Sequence, residues 1–284
     1  MHKSKQILVV VLVVALMGAL LAQPIKGLVK KDSSAGSEHS GNKATGADKA
    51  LTTYETVSKS AKEGLSNNIS AQITELEDQL ASTPKEGQLT LLKSLADRWN
   101  DVNKLIPLGF TYEKIAGLDP SVGNWVKTGN TYTDASQNLP DTSLARELNT
   151  LSIQAYEQAL KLQPANLDAK TGLGIAYVNG GASPMAGISL LLEVVKSDPT
   201  NLKANKSLGL FSMQSRQFDK AIARFKTVLS VNPDEPESWF YLATSYENIG
   251  LKKEAIEAFE KSKKLASDPS LSQFIDRKIA ELSK

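Results

Sequence analysis

The C-terminal part of this sequence repeats with a period of 34 residues, and this repeat restricts the fold more than any other feature. Leu208-Gly209 aligns with Leu242-Ala243 at this shift. The same shift superimposes three pairs of identical residues, namely Ala221 with Ala255, Ile222 with Ile256, and Phe225 with Phe259. Periods of about 20–50 residues are typical of arrays in which each unit buries its apolar face against its neighbours. We therefore expect a stack of similar units.

The second copy resembles the tetratricopeptide repeat family. A unit of that family consists of two helices and carries, in order, Trp, Leu-Gly, Tyr, Ala, Phe and a closing Pro. The matching residues here are Trp239, Leu242, Ala243, Tyr246, Ala255 and Phe259. The resemblance implies an all-α fold, a right-handed α-solenoid whose stacked helix pairs present a concave and a convex face.

Three further units precede these two copies, and the first two of the three are degenerate. The unit directly before them carries Leu173-Gly174, Tyr177 and Ala186, and its closing Pro199 comes one residue late. The unit before that carries Trp125, Thr128-Gly129, Tyr132, Tyr156, Ala159 and Pro164. The first unit of the chain carries Leu95-Ala96, Trp99, Tyr112 and Pro120. In the middle one of these three, the second helix is displaced by about eleven residues, which indicates an insertion. We predict a repeat domain of about five helix pairs over residues 86–269 and a C-terminal capping helix over 270–284.

A long hydrophobic run near the N-terminus predicts a transmembrane helix. Twenty uncharged residues separate Lys5 from Lys26, and residues 7–22 carry no polar side chain. A helix of that length spans roughly 30 Å, the thickness of the bilayer hydrocarbon core. A buried core helix would normally show a polar stripe, and this run has none. We therefore predict a membrane anchor over residues 1–31, with its helix at about 6–25.

Two interpretations of this segment remain, an uncleaved anchor and a cleaved signal peptide. The best cleavage site follows Ala22, but Leu20 stands where a small residue is needed, and the run exceeds a usual signal core. An uncleaved anchor is therefore favoured. The short N-terminal tail favours repeats on the periplasmic side of a bacterial inner membrane; the alternative is secretion to the periplasm after cleavage.

Two segments of different character connect the anchor to the repeats. Residues 32–48 contain Ser, Gly, Ala, Thr, Asn, one His and charged residues but no large apolar side chain, so we predict a flexible linker. Residues 49–85 carry apolar residues at helical spacing, including Ile69, Ile73 and Leu76. We predict one N-terminal helix over 49–85, ended at Pro84.

Composition argues against several classes of function. The chain has no Cys, and its two histidines, His2 and His39, precede the repeats, so no histidine base or Cys/His metal site is expected. Residues 1–48 hold six basic and three acidic residues, which leaves 27 basic and 28 acidic residues in 49–284. This near-neutral body is not typical of nucleic-acid binding. We predict a protein that is not an enzyme, with no cofactor, metal, nucleic acid or small-molecule substrate.

The glycine-rich stretch around Gly172 and Gly174 has two possible meanings. A nucleotide-binding loop would need a strand before the glycines and a helix after them. Here both glycines fall inside a repeat helix, with Gly174 at the position of close helix packing, and Gly180-Gly181 falls at the following turn. We therefore interpret them as packing residues.

The concave face is the candidate binding surface. In the family that these repeats resemble, inner residues include the second, fifth, ninth, twelfth and thirteenth positions of each first helix. At the last three of these positions, three successive units carry Ile175, Val178, Asn179, Leu210, Met213, Gln214, Thr244, Glu247 and Asn248. They predict a row of carboxamides beside an apolar strip, which suits an extended peptide; alternatively, they are solvated or packing residues. Some family members bind a peptide carboxylate through a Lys and an Asn four residues later, but here Leu210 follows Lys206.

Together these features predict a non-catalytic, membrane-anchored scaffold that binds protein or peptide partners at the cell envelope. The architecture is similar to bacterial repeat proteins that are held by one N-terminal helix and serve envelope assembly. The alternative function is a structural or assembly factor within a larger membrane complex. In that case the anchor and the N-terminal helix would make the main contacts.

Overall fold

The structure is a computed structural model that describes residues 52–137, 139–180 and 183–284, and these residues form thirteen α-helices and no strand. The helices are α1 Tyr54–Lys62, α2 Asn67–Ser82, α3 Lys85–Asp101, α4 Leu105–Leu118, α5 Val122–Ser136, α6 Thr142–Leu162, α7 Leu167–Asn179, α8 Pro184–Ser197, α9 Leu202–Gln214, α10 Phe218–Val231, α11 Pro236–Asn248, α12 Lys252–Leu265 and α13 Pro269–Leu282. The predicted all-α fold is confirmed.

The predicted anchor over 1–31 and the linker over 32–48 lie outside the described residues. Among the helices from α1 to α13, none is both long enough and apolar enough to cross a membrane.

Helices α3 to α12 follow one another as five consecutive pairs. The two helices of each pair pack side by side, and the short connections between them make them antiparallel. The first helices of the last four pairs, α5, α7, α9 and α11, also touch one another in succession. These contacts join the first helices into one continuous surface, which is where a concave face is expected in a helical array.

The residues that match between the last two pairs lie in the core. Ala221, Ala255, Phe225 and Phe259 have no exposed surface. A Cβ atom on Gly209 would lie 2.8 Å from Cζ of the Phe225 ring, closer than side-chain atoms pack. The absence of a side chain at Gly209 therefore lets α9 approach α10, as the repeat pattern predicts.

The third pair departs from the sequence alignment by one residue. Ala186, which the alignment places at the packing position of α8, is exposed, and Gly187 is buried instead. A Cβ atom on Gly187 would overlap the carbonyl oxygen of Gly174 in α7. The connection before α8 has four residues, 180–183, whereas the two later pairs have three, which moves every following position along by one. The extra residue before α8 also explains why Pro199 comes one residue later than the closing Pro of the repeat pattern.

Tyr156 fills the space between the second and third pairs. Its ring is fully buried and lies between Gly129 of α5 and Gly172 of α7. A Cβ atom on Gly129 would lie 2.7 Å from Tyr156 Cε1, and a Cβ atom on Gly172 would overlap the same ring. The glycines are therefore packing residues, as the sequence indicated. The predicted insertion lengthens α6, which has 21 residues.

The segment predicted as one helix over 49–85 contains two helices, α1 and α2, separated by residues 63–66. The Ser66 hydroxyl caps α2 by accepting a hydrogen bond from the backbone N–H of Ile69, so a new helix begins there. Helix α1 packs against α4, and Thr52 just before it reaches α6. The Thr52 N–H and hydroxyl donate to the two carboxylate oxygens of Glu147 at 3.0 and 2.6 Å.

Candidate functional site

The nine predicted groove residues lie on three neighbouring first helices. Helices α7, α9 and α11 have thirteen residues each, and the predicted residues are the ninth, twelfth and thirteenth of each helix. We call them the groove surface: Ile175, Val178 and Asn179 on α7, Leu210, Met213 and Gln214 on α9, and Thr244, Glu247 and Asn248 on α11. Their register is the same because the helices start and end at equivalent positions.

Three carboxamides end these helices, and all three are exposed. Asn179, Gln214 and Asn248, called the amide row below, are the last residues of α7, α9 and α11. The Asn248 side chain donates to the carbonyl oxygen of Thr244 at 2.8 Å, which leaves its own carbonyl oxygen available. Within the described residues, the side chains of Asn179 and Gln214 make no hydrogen bond. Each exposed carboxamide offers both a donor and an acceptor to a ligand.

The apolar members of the groove surface are only half-exposed because they also pack between helix pairs. Ile175 contacts the buried cluster of α8 and α9, and Leu210 and Met213 contact the cluster around Phe225 and Phe259. The apolar strip therefore contributes to the stability of the array and exposes only part of its surface to a partner. This agrees with the packing interpretation for these three residues.

A pocket of about 430 Å³ lies where the groove surface meets α13. This C-terminal pocket is lined by Phe240, Thr244, Glu247, Asn248, Phe274 and Lys278. Three of these six belong to the predicted set. Sequence reasoning did not name Phe240, although it occupies the fifth position of α11, which the family resemblance implied to face inward. Phe274 and Lys278 lie on α13, which carries no repeat pattern.

The C-terminal pocket combines aromatic, amide and charged groups. The Phe240 and Phe274 ring centroids are 5.9 Å apart, and Phe274 is 38% exposed. Lys278 Nζ lies 2.9 Å from Glu247 Oε1, and this hydrogen bond raises the pKa of Lys278. The Lys278–Glu247 pair closes one side of the pocket. The rings can accept an apolar side chain, and Asn248 can bond to the backbone beside it.

Lys206 does not form a carboxylate clamp. Its ammonium group lies 2.5 Å from Glu235 Oε1 and 2.7 Å from Glu237 Oε2. Partial burial alone would lower the pKa of Lys206, but the hydrogen bonds to the two carboxylates outweigh it and raise the pKa. Lys206 therefore joins the fourth pair to the fifth and has no free charge for a peptide terminus, in agreement with the missing Asn.

A second lysine contact joins two first helices, α9 and α5. Lys203 Nζ donates to Asn130 Oδ1 at 3.1 Å, and the buried Tyr156 hydroxyl donates to the same oxygen at 2.8 Å. Lys203 belongs to the fourth pair and Asn130 to the second, so this hydrogen bond joins two pairs that are not consecutive in the chain.

The tetratricopeptide repeat model matches residues 144–201 and 212–270. The chain contains tetratricopeptide repeats. In the part of the chain from residue 52 onwards that the structure describes, no group of three or more His, Asp or Glu side chains is arranged to hold a metal ion. The matched residues include eight of the nine groove residues, all except Leu210, and four of the six residues that line the C-terminal pocket.

Curated relatives are similar over the repeats. The peroxisomal targeting signal receptor of Kluyveromyces lactis is 28% identical over 204 residues, which cover 59% of this chain and 34% of the receptor. The corresponding receptor of Saccharomyces cerevisiae is 27% identical over 204 residues, which cover 57% of this chain and 32% of the receptor. The chain thus spans about a third of the length of these relatives.

Solved structures of tetratricopeptide proteins are also similar. A MamA double mutant from RS-1 is 18% identical with a TM-score of 0.49, covering 63% of this chain and 94% of that one. YrrB, described as a TPR protein with an unusual peptide-binding site, is 19% identical with a TM-score of 0.45, covering 66% and 91%.

Proposed function

We propose that this protein is a non-catalytic scaffold whose groove surface binds an extended segment of a protein partner. The observation that carries the proposal is the amide row, three exposed carboxamides at equivalent ends of adjacent first helices, which leads into the C-terminal pocket. The curated relatives are named as receptors for a targeting signal, which also supports recognition of a protein segment.

The proposed binding mode follows from the chemistry of the surface. An extended peptide presents backbone N–H and C=O groups along its length, and carboxamides one repeat apart can pair with them. An apolar side chain of the same peptide would enter the C-terminal pocket between Phe240 and Phe274. The pairs already formed by Glu247 and Lys206 contribute little free charge, so apolar and backbone contacts would decide affinity.

Removal of the amide row tests this proposal. Peptides selected from a random library on the full-length protein should lose at least about tenfold in affinity for the triple variant N179A/Q214A/N248A, because each hydrogen bond contributes about 0.5–1.5 kcal/mol. Affinity would be measured by fluorescence anisotropy, and helicity by circular dichroism. All three residues are exposed, so the fold should be unchanged.

The matched control replaces three exposed carboxamides outside the groove surface, N67A/N100A/Q154A, and should bind like the wild type. Unchanged affinity in the groove variant would contradict the proposal. The alternative function, an assembly factor within a membrane complex, predicts instead that partners crosslink to residues 52–82 and not to the groove surface.

We further propose that the hydrophobic segment at about 6–25 is an uncleaved anchor that holds the repeats in the periplasm. The length and composition of residues 7–22 and the poor cleavage site at Ala22 support this proposal. Protease added to spheroplasts should degrade the repeats while the membrane stays intact. Survival of the repeats would place them in the cytoplasm, and a mature chain that begins after Ala22 would favour secretion.

A further inference from the structure

A second site lies at the opposite end of the array from the C-terminal pocket. A cleft of about 740 Å³ is bounded by α1, α2, α3 and α4, and we call it the N-terminal cleft. Its volume falls within the range of about 300–1,000 Å³ that is typical of small-molecule sites. The binding proposal for the groove surface makes no use of this cleft.

A buried polar network forms one wall of the N-terminal cleft. Glu77 Oε1 accepts hydrogen bonds from the hydroxyls of Tyr54 at 2.7 Å and Ser58 at 2.5 Å, and Glu77 Oε2 accepts one from Lys62 Nζ at 2.5 Å. Trp99 Nε1 donates to the Tyr54 oxygen at 3.2 Å. Burial alone would raise the pKa of Glu77, but these hydrogen bonds outweigh it and lower the pKa. This network holds α1 against α2 and is already satisfied internally.

Two lysines of the cleft form no ion pair within the described residues, although the exposed carboxylate of Glu55 also lines the cleft and interacts electrostatically with Lys114. Lys59 is exposed on α1 and forms no ion pair there. Lys114 Nζ lies 4.2 Å above the centroid of the Tyr54 ring. A cation over a ring keeps its charge and its N–H donors available to an anion. Lys59 and Lys114 outnumber Glu55, so the polar side of the cleft carries a net positive charge outside the Glu77 network.

The rest of the lining is apolar and offers few hydrogen bonds. Leu80 and Leu118 contribute hydrocarbon surface, and Leu118 is 36% exposed, whereas Leu92 belongs to the core and is only 1% exposed. The Gln88 carboxamide donates to the backbone carbonyls of Leu80 and Thr83, so its N–H groups are already used. A peptide would bring backbone N–H and C=O groups that find few partners here, and burying them unpaired is costly. A hydrocarbon chain has no such requirement.

We propose that the N-terminal cleft binds a fatty acid, an apolar chain that carries one carboxylate. The chain would lie on Leu80 and Leu118, and the carboxylate would be held by the ammonium groups of Lys59 and Lys114. Charge-assisted hydrogen bonds to a carboxylate are stronger than neutral ones, so the head group fixes the orientation of the chain. The ligand is bound as such and undergoes no reaction.

Photocrosslinking of the full-length protein in lipid nanodiscs tests this assignment. The probe is tetradecanoate with a diazirine in its chain, and adducts are located by peptide mass spectrometry. Adducts should map to α2, α3 and the end of α4, and unlabelled tetradecanoate should compete them away. The double variant K59A/K114A should lower adduct yield at these peptides about tenfold, because two charge-assisted contacts are lost.

A matched control removes two lysines of similar setting outside the cleft. In K93A/K127A, Lys93 is exposed on α3, and Lys127 lies 4.2 Å from the centroid of the Tyr112 ring, as Lys114 lies from that of Tyr54. This variant should label like the wild type. The proposal would be overturned if K59A/K114A labelled as strongly as the wild type, or if a photoreactive tetradecylamine labelled the cleft as strongly as the tetradecanoate probe. It would also be overturned if adducts lay only outside α1–α4, or if unlabelled tetradecanoate did not reduce the labelling.

Discussion

Replacing Phe259 by alanine is expected to destabilise the protein by about 3–5 kcal/mol, the range measured for large aromatic residues removed from well-packed cores. Phe259 is fully buried in α12, and its ring meets that of Phe240 edge-on at a centroid distance of 5.7 Å. The cavity would lie between α11, α12 and α13. Chemical denaturation, monitored by circular dichroism, measures the decrease in the free energy of unfolding.

The effect of Phe259→Ala should also be local. Stability in a helical array is approximately a sum of unit and nearest-neighbour contributions, so damage at one end need not reach the other. Hydrogen exchange should therefore rise first in α11 to α13 while α5 to α8 keep their protection. The control is Phe274→Ala, which removes a ring that is 38% exposed and should cost less than about 1 kcal/mol. Equal loss of protection in all pairs would show instead that the array unfolds as one unit.

Replacing Gly172 by alanine is expected to cost about 1–3 kcal/mol, the usual range for overpacking a filled core. The new methyl group would overlap the Tyr156 ring, which is buried and cannot withdraw because Gly129 bounds it on the other side. The control is Gly123→Ala on α5, where a Cβ atom meets nothing within 4 Å. That change should be neutral or slightly stabilising, because alanine favours helix over glycine.

A double-mutant cycle tests whether the Tyr156 ring causes the loss of stability in Gly172→Ala. If the Tyr156 ring is the obstacle, Gly172→Ala should cost much less in a Tyr156→Leu background than in the wild type, because the smaller side chain leaves room. Thermal unfolding of the four proteins gives the coupling free energy. Additive effects would mean that Gly172 matters for a reason other than contact with Tyr156.

Much of the repeat core was predictable because it depends on local spacing. Ala221, Ala255, Phe225 and Phe259 recur at the same offsets, and each is buried in the structure. A helix pair brings residues together at fixed offsets, so periodicity reports packing directly. The approach fails where a connection changes length, and Ala186 shows this: one extra residue before α8 transfers the packing role to Gly187.

The site was only partly predictable because part of it is built without repeats. Thr244, Glu247 and Asn248 followed from their positions in α11, but Phe274 and Lys278 belong to α13, whose placement depends on packing at the end of the array. The break between α1 and α2 did have a sequence signal, since Ser66 is a typical helix cap. The binding role of the nine groove residues stays a prediction.

The two hydrogen bonds that Thr52 donates to Glu147 of α6 have a mechanical consequence. Any tension on the chain before Thr52 acts first on its two hydrogen bonds to Glu147, at 3.0 and 2.6 Å. The load therefore passes directly into α6 of the second pair, and helices α1 to α4 bear none of it until those bonds break. A pull from the N-terminal side would thus be resisted near the middle of the array, and the N-terminal cleft would keep its shape under moderate force.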